Sequence, residues 1–206
     1  MIEKIVTPEN LRLLTNRDYR FQQLLDRHGP PPEWERPPGF RTLCRIILEQ
    51  QVHLNSARKT YELLDERLPA FTPEEMLQLN DEELLACKVS RQKRGYLRNV
   101  SRVVRSGELN FDELHTLPEH EVRRRLVAIK GIGNWTVDVY AMFCLKHPDI
   151  FPAGDVAAVN RAKEMTTVSD KNELLKITST WSPVRTLATF VLYHAYLTER
   201  GRSFLI

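Results

Sequence analysis

Cysteine and glycine are scarce in this sequence, and no stretch of it is both long and apolar. Cys44, Cys87 and Cys144 are odd in number and widely spaced, which argues against a disulfide framework and against a cysteine-built zinc site. They fit a reducing cytoplasm. The six histidines show no metal-ligand spacing, so a catalytic metal is not expected. No run is apolar enough to span a bilayer, and the opening MIEKIVTPEN lacks the apolar core of a signal peptide, so no membrane is expected. Strand-like alternation is weak, and glycine supplies only 8 of 206 residues. Helical periodicity recurs instead, and the predicted class is all-α.

What is present is a mildly basic chain, long enough to bury a substantial core in one compact domain or two small lobes. Its formal net charge is +3, which permits nucleic-acid binding without arguing strongly for it. The distribution says more than the total. Arg91, Lys93, Arg94, Arg98, Arg102 and Arg105 form one basic stretch, and Arg123, Arg124, Arg125 and Lys130 another; a solvated helix face is the plain alternative for each.

Helix starts are well marked. Thr72, Asn80 and Thr116 each stand three residues before a glutamate, the spacing of a reciprocal N-terminal cap. His28 to Gly39, HGPPPEWERPPG, concentrates proline and predicts an extended connector after an N-terminal helical arm. His147 to Gly154 is the other break.

The most informative stretch runs from Leu126 to Asp155, LVAIKGIGNWTVDVYAMFCLKHPDIFPAGD. Val122, Leu126 and Ile129 mark one amphipathic run, and Trp135, Val139 and Met142 another, so the pattern predicts helix, hairpin, helix. Gly131 and Gly133 can take left-handed backbone angles and let another polymer approach closely. Amides left without partners at the start of the second helix favour an anion. A Gly-x-Gly turn is also an ordinary helix cap and connection. Asp155, ahead of Val156-Ala157-Ala158-Val159, sits where a helix N-cap belongs.

This string resembles the helix-hairpin-helix, Gly/Pro-rich loop and aspartate signature of the DNA glycosylase superfamily, and Gly131 to Thr136 is most similar to its 3-methyladenine DNA glycosylase II branch. Phe40 to Ala57, FRTLCRIILEQQVHLNSA, is similar to the family's first long core helix and Gln-Gln segment, and the likeness continues at Ser90 to Leu97 and Trp181 to Tyr196. The resemblance implies two helical lobes with a cleft between them. It divides the chain into an arm over residues 1–38, a central lobe over 39–147 and a C-terminal lobe over 148–206, without the N-terminal β domain that some bacterial members carry. The related endonuclease III branch has four closely spaced C-terminal cysteines for an iron-sulfur cluster; this tail has none, and no cluster is expected.

By the same resemblance Asp155 is the catalytic residue. Lys130, Gly131, Ile132, Gly133, Asn134 and Thr136 meet DNA, Gln51 is the wedge that fills the gap left by a flipped base, and Gln50 is a second contact beside it. A polar helix face is the plain reading of Gln51. Trp135 stands where strand-cleaving members have a lysine, which implies a monofunctional enzyme; its ring lines the base pocket or packs in the core. Val139 also belongs to the pocket, replacing a tyrosine often found there. His53 replaces a serine and Lys88 a glycine frequent in the family. Asp138 and Asp149 are rival carboxylates, Asp138 reading as solvated or capping. Arg185 is expected to anchor a buried carboxylate.

The implied activity is release of alkylated purines of the 3-methyladenine class from damaged double-stranded DNA, leaving an abasic site. Other damaged bases (hypoxanthine, uracil, an oxidised purine) and a non-catalytic DNA-binding role are the alternatives. No cofactor is expected beyond a structural potassium or sodium ion at the Lys130 to Gly133 backbone. The protein is expected to be a monomer in the cytoplasm at the bacterial nucleoid, or in a eukaryotic nucleus.

Overall fold

The computed structural model describes residues 4–202. Among the described residues are thirteen α-helices and no strand: α1 (Pro8–Arg17), α2 (Arg20–His28), α3 (Phe40–Glu49), α4 (Leu54–Arg67), α5 (Pro73–Gln78), α6 (Asp81–Ala86), α7 (Arg91–Arg105), α8 (Phe111–Leu114), α9 (Glu119–Val127), α10 (Asn134–Phe143), α11 (Val156–Thr166), α12 (Lys171–Ser179) and α13 (Arg185–Thr198). No helix among them is long and apolar enough to cross a membrane. The chain divides into two compact units, one of Arg36–Tyr140 and one built from the residues up to Glu35 together with those from Ala141 onward.

In the Arg36–Tyr140 unit, α3 is the central element. Leu43, Cys44, Ile46 and Ile47 are fully buried, and α3 packs on α4 and α7. Its start is held by Tyr140, whose hydroxyl accepts from the Gly39 amide at 2.9 Å. Thr72 and Asn80 form the reciprocal caps that their spacing predicts, with Glu75 and Glu83. Thr116 does not. Its hydroxyl donates to the Glu113 carbonyl at 2.8 Å, and α9 starts after Pro118 with no side-chain cap. The preceding short helix α8 claims the threonine first. Lys88, where the family often has glycine, takes φ 61, the left-handed region that glycine enters without strain.

The other unit is organised on α13, against which α1, α2 and α11 pack. Trp181 is fully buried, with edge contacts to Phe21 and Phe151 at ring separations of 4.9 and 5.7 Å. Its indole N–H donates to Asp18 at 3.0 Å, and Arg20 grips the same carboxylate at 2.8 and 2.7 Å. The N-terminal arm is thereby tied to the C-terminal helices within one core.

Residues 29–38 have no regular secondary structure, as their prolines predict. The segment is nonetheless anchored: Trp34 lies edge-on to Phe190 at 5.4 Å, and the buried Arg36 pairs with Glu49 at 2.8 Å. The expected boundaries near Gly39 and Pro148 compare with observed divisions at Glu35–Arg36 and Tyr140–Ala141. The second falls inside α10 because Phe143, near its end, stacks on Phe190 of α13 at 5.2 Å. The loop before Asp155 breaks the secondary structure without breaking the packing. Of the expected arm and C-terminal lobe, residues 1–3 and 203–206 lie outside the described residues.

Candidate functional site

The hairpin between α9 and α10 is closed by local hydrogen bonds. The Ile129 amide donates to Leu126 at 3.1 Å, Ile132 to Ile129 at 3.0 Å, and Val137 to Gly133 at 3.1 Å, which opens α10. Ile129 and Ile132 turn their side chains inward and are 6% and 4% exposed. The two glycines are not equivalent. Gly131 has φ 109, and a Cβ placed on it would lie 2.3 Å from the Tyr96 ring. Gly133 is outside the left-handed region, and a Cβ there would meet nothing within 4 Å. Nothing inside the protein requires glycine at 133, so the small residue leaves room for something outside it.

Gln50 lies just beyond α3, and its amide nitrogen donates to the Gly131 carbonyl at 2.9 Å and the Thr136 hydroxyl at 2.8 Å. Both N–H groups of that amide therefore serve the hairpin. Thr136, read from the sequence as a DNA contact, is 1% exposed, and its hydroxyl accepts from Gln50. The Ile132 amide, offered as a phosphate contact, already donates within the turn.

Three residues of α7 that the sequence reading did not single out for this site complete the support. Lys93 donates to the Leu48 carbonyl at the end of α3 at 2.6 Å, Tyr96 covers Gly131, and Asn99 donates to the Lys130 carbonyl at 3.2 Å. Their three-residue spacing places them on one helix face, a signal overshadowed by the arginines around them. Burial holds the Lys93 ammonium below the usual lysine range, against the opposing pull of Glu49.

Gln51 is exposed with φ 53, a left-handed conformation rare for a side chain of this kind. Val52 and Leu54 beside it are 45% and 48% exposed. The turn between α3 and α4 therefore presents a polar tip flanked by apolar groups.

Much of the basic charge is compensated internally. Arg94 and Arg98 pair with Asp81, Arg124 with Glu121 and Arg125 with Glu113. Arg123 is a clamp across the hairpin, reaching Glu119 on α9, the side-chain Oδ1 of Asn134 at 3.0 Å and Asp138 at 2.6 Å on α10. Asp138 is only 6% exposed. It is neither solvated nor a cap, as its sequence context suggests, because Arg123 supplies the charge that lets it be buried. Lys130 is exposed and has no ion pair among the described residues. Trp135 is half-buried and Val139 buried.

Asp155 belongs to the other unit, where it caps α11. Its Oδ1 accepts from the Ala158 amide at 2.9 Å, and its own amide donates to Pro152 at 2.8 Å. The side chain is half-exposed, next to Val156, which is 72% exposed. The rival Asp149 is committed elsewhere. Arg185 donates to both of its oxygens at 2.7 and 3.0 Å, and Ser182 to Oδ2 at 2.7 Å. Burial pushes the Asp149 pKa up, but Arg185 and Ser182 outweigh it and hold the carboxyl below its usual range. Arg185 thus anchors a carboxylate, one that is partly exposed rather than buried as expected.

An all-helical chain with a glycine hairpin between helices, followed by a Pro/Gly loop that ends on a capping aspartate, defines a helix-hairpin-helix protein. Residues 44–183 match the family model of the HhH-GPD superfamily base excision DNA repair protein, and the chain belongs to that superfamily. It is 30% identical over 172 residues to the DNA-3-methyladenine glycosylase of Bacillus subtilis, covering 76% of this chain and 57% of that protein. The chain therefore spans little more than half of that relative. The crystal structure of a DNA-3-methyladenine glycosidase from Bacillus halodurans superposes with a TM-score of 0.78 at 28% identity, over 97% of this chain and 94% of that one. The Schizosaccharomyces pombe 3-methyladenine DNA glycosylase in complex with abasic DNA also gives 0.78, at 26% identity over 90% and 95%.

Proposed function

We propose that this protein is a monofunctional DNA glycosylase that hydrolyses the N-glycosidic bond of alkylated purines of the 3-methyladenine class in duplex DNA. The observation that carries the reading is Asp155, a half-exposed carboxylate held at the N-terminus of α11 while Asp149 in the same loop is saturated by Arg185. Breaking the bond to the sugar develops positive charge on the sugar, which a carboxylate stabilises while it orients or deprotonates the attacking water. The bond from the Ala158 amide fixes the carboxylate at the helix N-terminus. Glycosidases acting on ordinary sugars need a second carboxyl to protonate the leaving oxygen. A purine alkylated at N3 or N7 is already cationic and departs without that proton, so one aspartate suffices.

Damaged DNA is the partner. Gly133 offers open space for a phosphate at the start of α10, Lys130 and Asn134 flank it, and Gln51 is the wedge on the exposed turn. Trp135 supplies an aromatic face to an electron-poor base, and Val139, one turn further along α10, belongs to the same pocket. A tryptophan cannot form a Schiff base, so the product is an abasic site in an intact strand. Carbonyls of Lys130, Gly131 and Gly133 accept hydrogen bonds within the fold. Each has a second lone pair, so the backbone of residues 130–133 fits a structural potassium or sodium ion that steadies the turn. The protein acts as a monomer wherever the DNA lies, in nucleoid or nucleus.

The test is incubation with duplex DNA carrying alkylated purines, with base release and strand scission assayed separately. Release without scission is expected. Scission without added heat or base would contradict the monofunctional reading, and binding with no release of any damaged base would make the protein a non-enzymatic DNA binder.

A further inference from the structure

Resting on the glycosylase reading, we propose that Gln50 is a positioning residue that couples the wedge turn to the phosphate hairpin, and that it does not contact DNA itself. The Gly131 carbonyl can only accept, so the group facing it must be a donor, and the same amide nitrogen also reaches Thr136. One side chain thus bridges the first hairpin glycine and the first turn of α10. Its own backbone immediately precedes Gln51, whose φ of 53 no glycine is there to relax. A left-handed glutamine persists only where its surroundings over-determine it. The surroundings are on both sides: Lys93 donates to Leu48 two residues before Gln50, and Gln50 is tied to the hairpin, which Tyr96 and Asn99 hold from α7. The wedge tip and the anion-facing turn consequently keep a fixed spacing inside the Arg36–Tyr140 unit. Flipping needs both at once, since a wedge without a gripped backbone pushes against nothing.

The chemistry of this bridge allows a specific test. Gln50→Glu keeps shape but turns an acceptor toward the Gly131 carbonyl, which can only accept, and removes the donor to Thr136. Protonation restores one donor, and a carboxyl facing that carbonyl in a partly buried place holds its proton above the usual carboxylate range. Activity of Gln50→Glu relative to wild type at the same pH should therefore be down about tenfold or more at pH 8 and recover as the pH falls toward 5. Gln50→Met, with no donor at any pH, should stay low throughout. Both variants should lose more on a damaged base in a stable pair than on the same base in a mismatch, where flipping is easier. Thermal melting at each pH separates folding from function. A pH-independent loss in Gln50→Glu, or equal losses on paired and mismatched substrates, would overturn the coupling role. Wild-type protein that neither releases a base nor binds duplex DNA with an abasic-site analogue would instead overturn the glycosylase reading beneath it.

Discussion

Arg185 holds Asp149 by a two-pronged contact, Nε to Oδ1 at 2.7 Å and Nη2 to Oδ2 at 3.0 Å. Asp155 stands only six positions further along the chain, yet the two carboxylates are placed for different work. Asp149 ties the loop before α11 to the start of α13, and Asp155 stands at the end of the same loop. Asp149→Asn should destabilise the protein by about 1–3 kcal/mol, lowering the melting temperature by about 2–4 °C per kcal/mol, while folded molecules keep their base-release rate. A melting curve and a rate normalised to folded protein check this together.

The pH dependence of stability follows from the same pair. The folded-state pKa of Asp149 is depressed, as is that of Asp18, where burial opposes ionisation but Arg20 and Trp181 prevail. Groups of this kind stabilise the fold fully above the ordinary carboxylate range, and the contribution disappears as the pH falls through the depressed folded values. Wild-type stability should thus fall steeply on the acid side, below about pH 4. Asp149→Asn should show a shallower acid-side loss in urea unfolding at stepped pH.

The hairpin glycines should separate stability from binding. Gly131→Ala meets both an unfavourable φ and the Tyr96 ring, so it should lower the melting temperature. Gly133→Ala meets neither; its stability should change by less than about 1 kcal/mol, while affinity for duplex DNA drops because the added methyl occupies the space kept for the phosphate. Equal effects of the two substitutions on melting would contradict this division.

Charge on the hairpin should divide in the same way. Arg123→Ala strips Asp138 of its buried partner and should destabilise by on the order of 3 kcal/mol. Lys130→Ala should leave melting unchanged and reduce the slope of log affinity against log salt by about 1. Binding isotherms at several salt concentrations provide the measurement.

Much of this architecture could be read along the chain, and the failures have physical causes. Helix, hairpin and helix were legible because apolar spacing and two glycines are local signals, as were the caps at Thr72 and Asn80. Thr116 fooled the same rule because a threonine hydroxyl can bond backward to Glu113 as readily as forward. Asp138 looked solvated because its partner lies fifteen residues away on another helix, and a sequence does not display such pairs. Thr136 and Gln50 were read as DNA contacts, and their bonds inside the protein were hidden for the same reason. Their bonds to each other and to Gly131 join segments more than eighty residues apart. Lys93 was read only as one charge of a basic stretch, and Tyr96 and Asn99 went unnoticed, because a helix face bearing one amide, one phenol and one amine has no chemical signature until its neighbours are in place.

The central claim rests on the charge of Asp155, and Asp155→Asn tests it most directly. Asparagine is as good an N-cap as aspartate, so the bond to the Ala158 amide and the melting temperature should survive while the negative charge is lost. The expected result is unchanged affinity for duplex DNA bearing an abasic-site analogue, with release of alkylated purines reduced at least about a hundredfold. Release at the wild-type rate from a folded, DNA-binding Asp155→Asn protein would contradict the account.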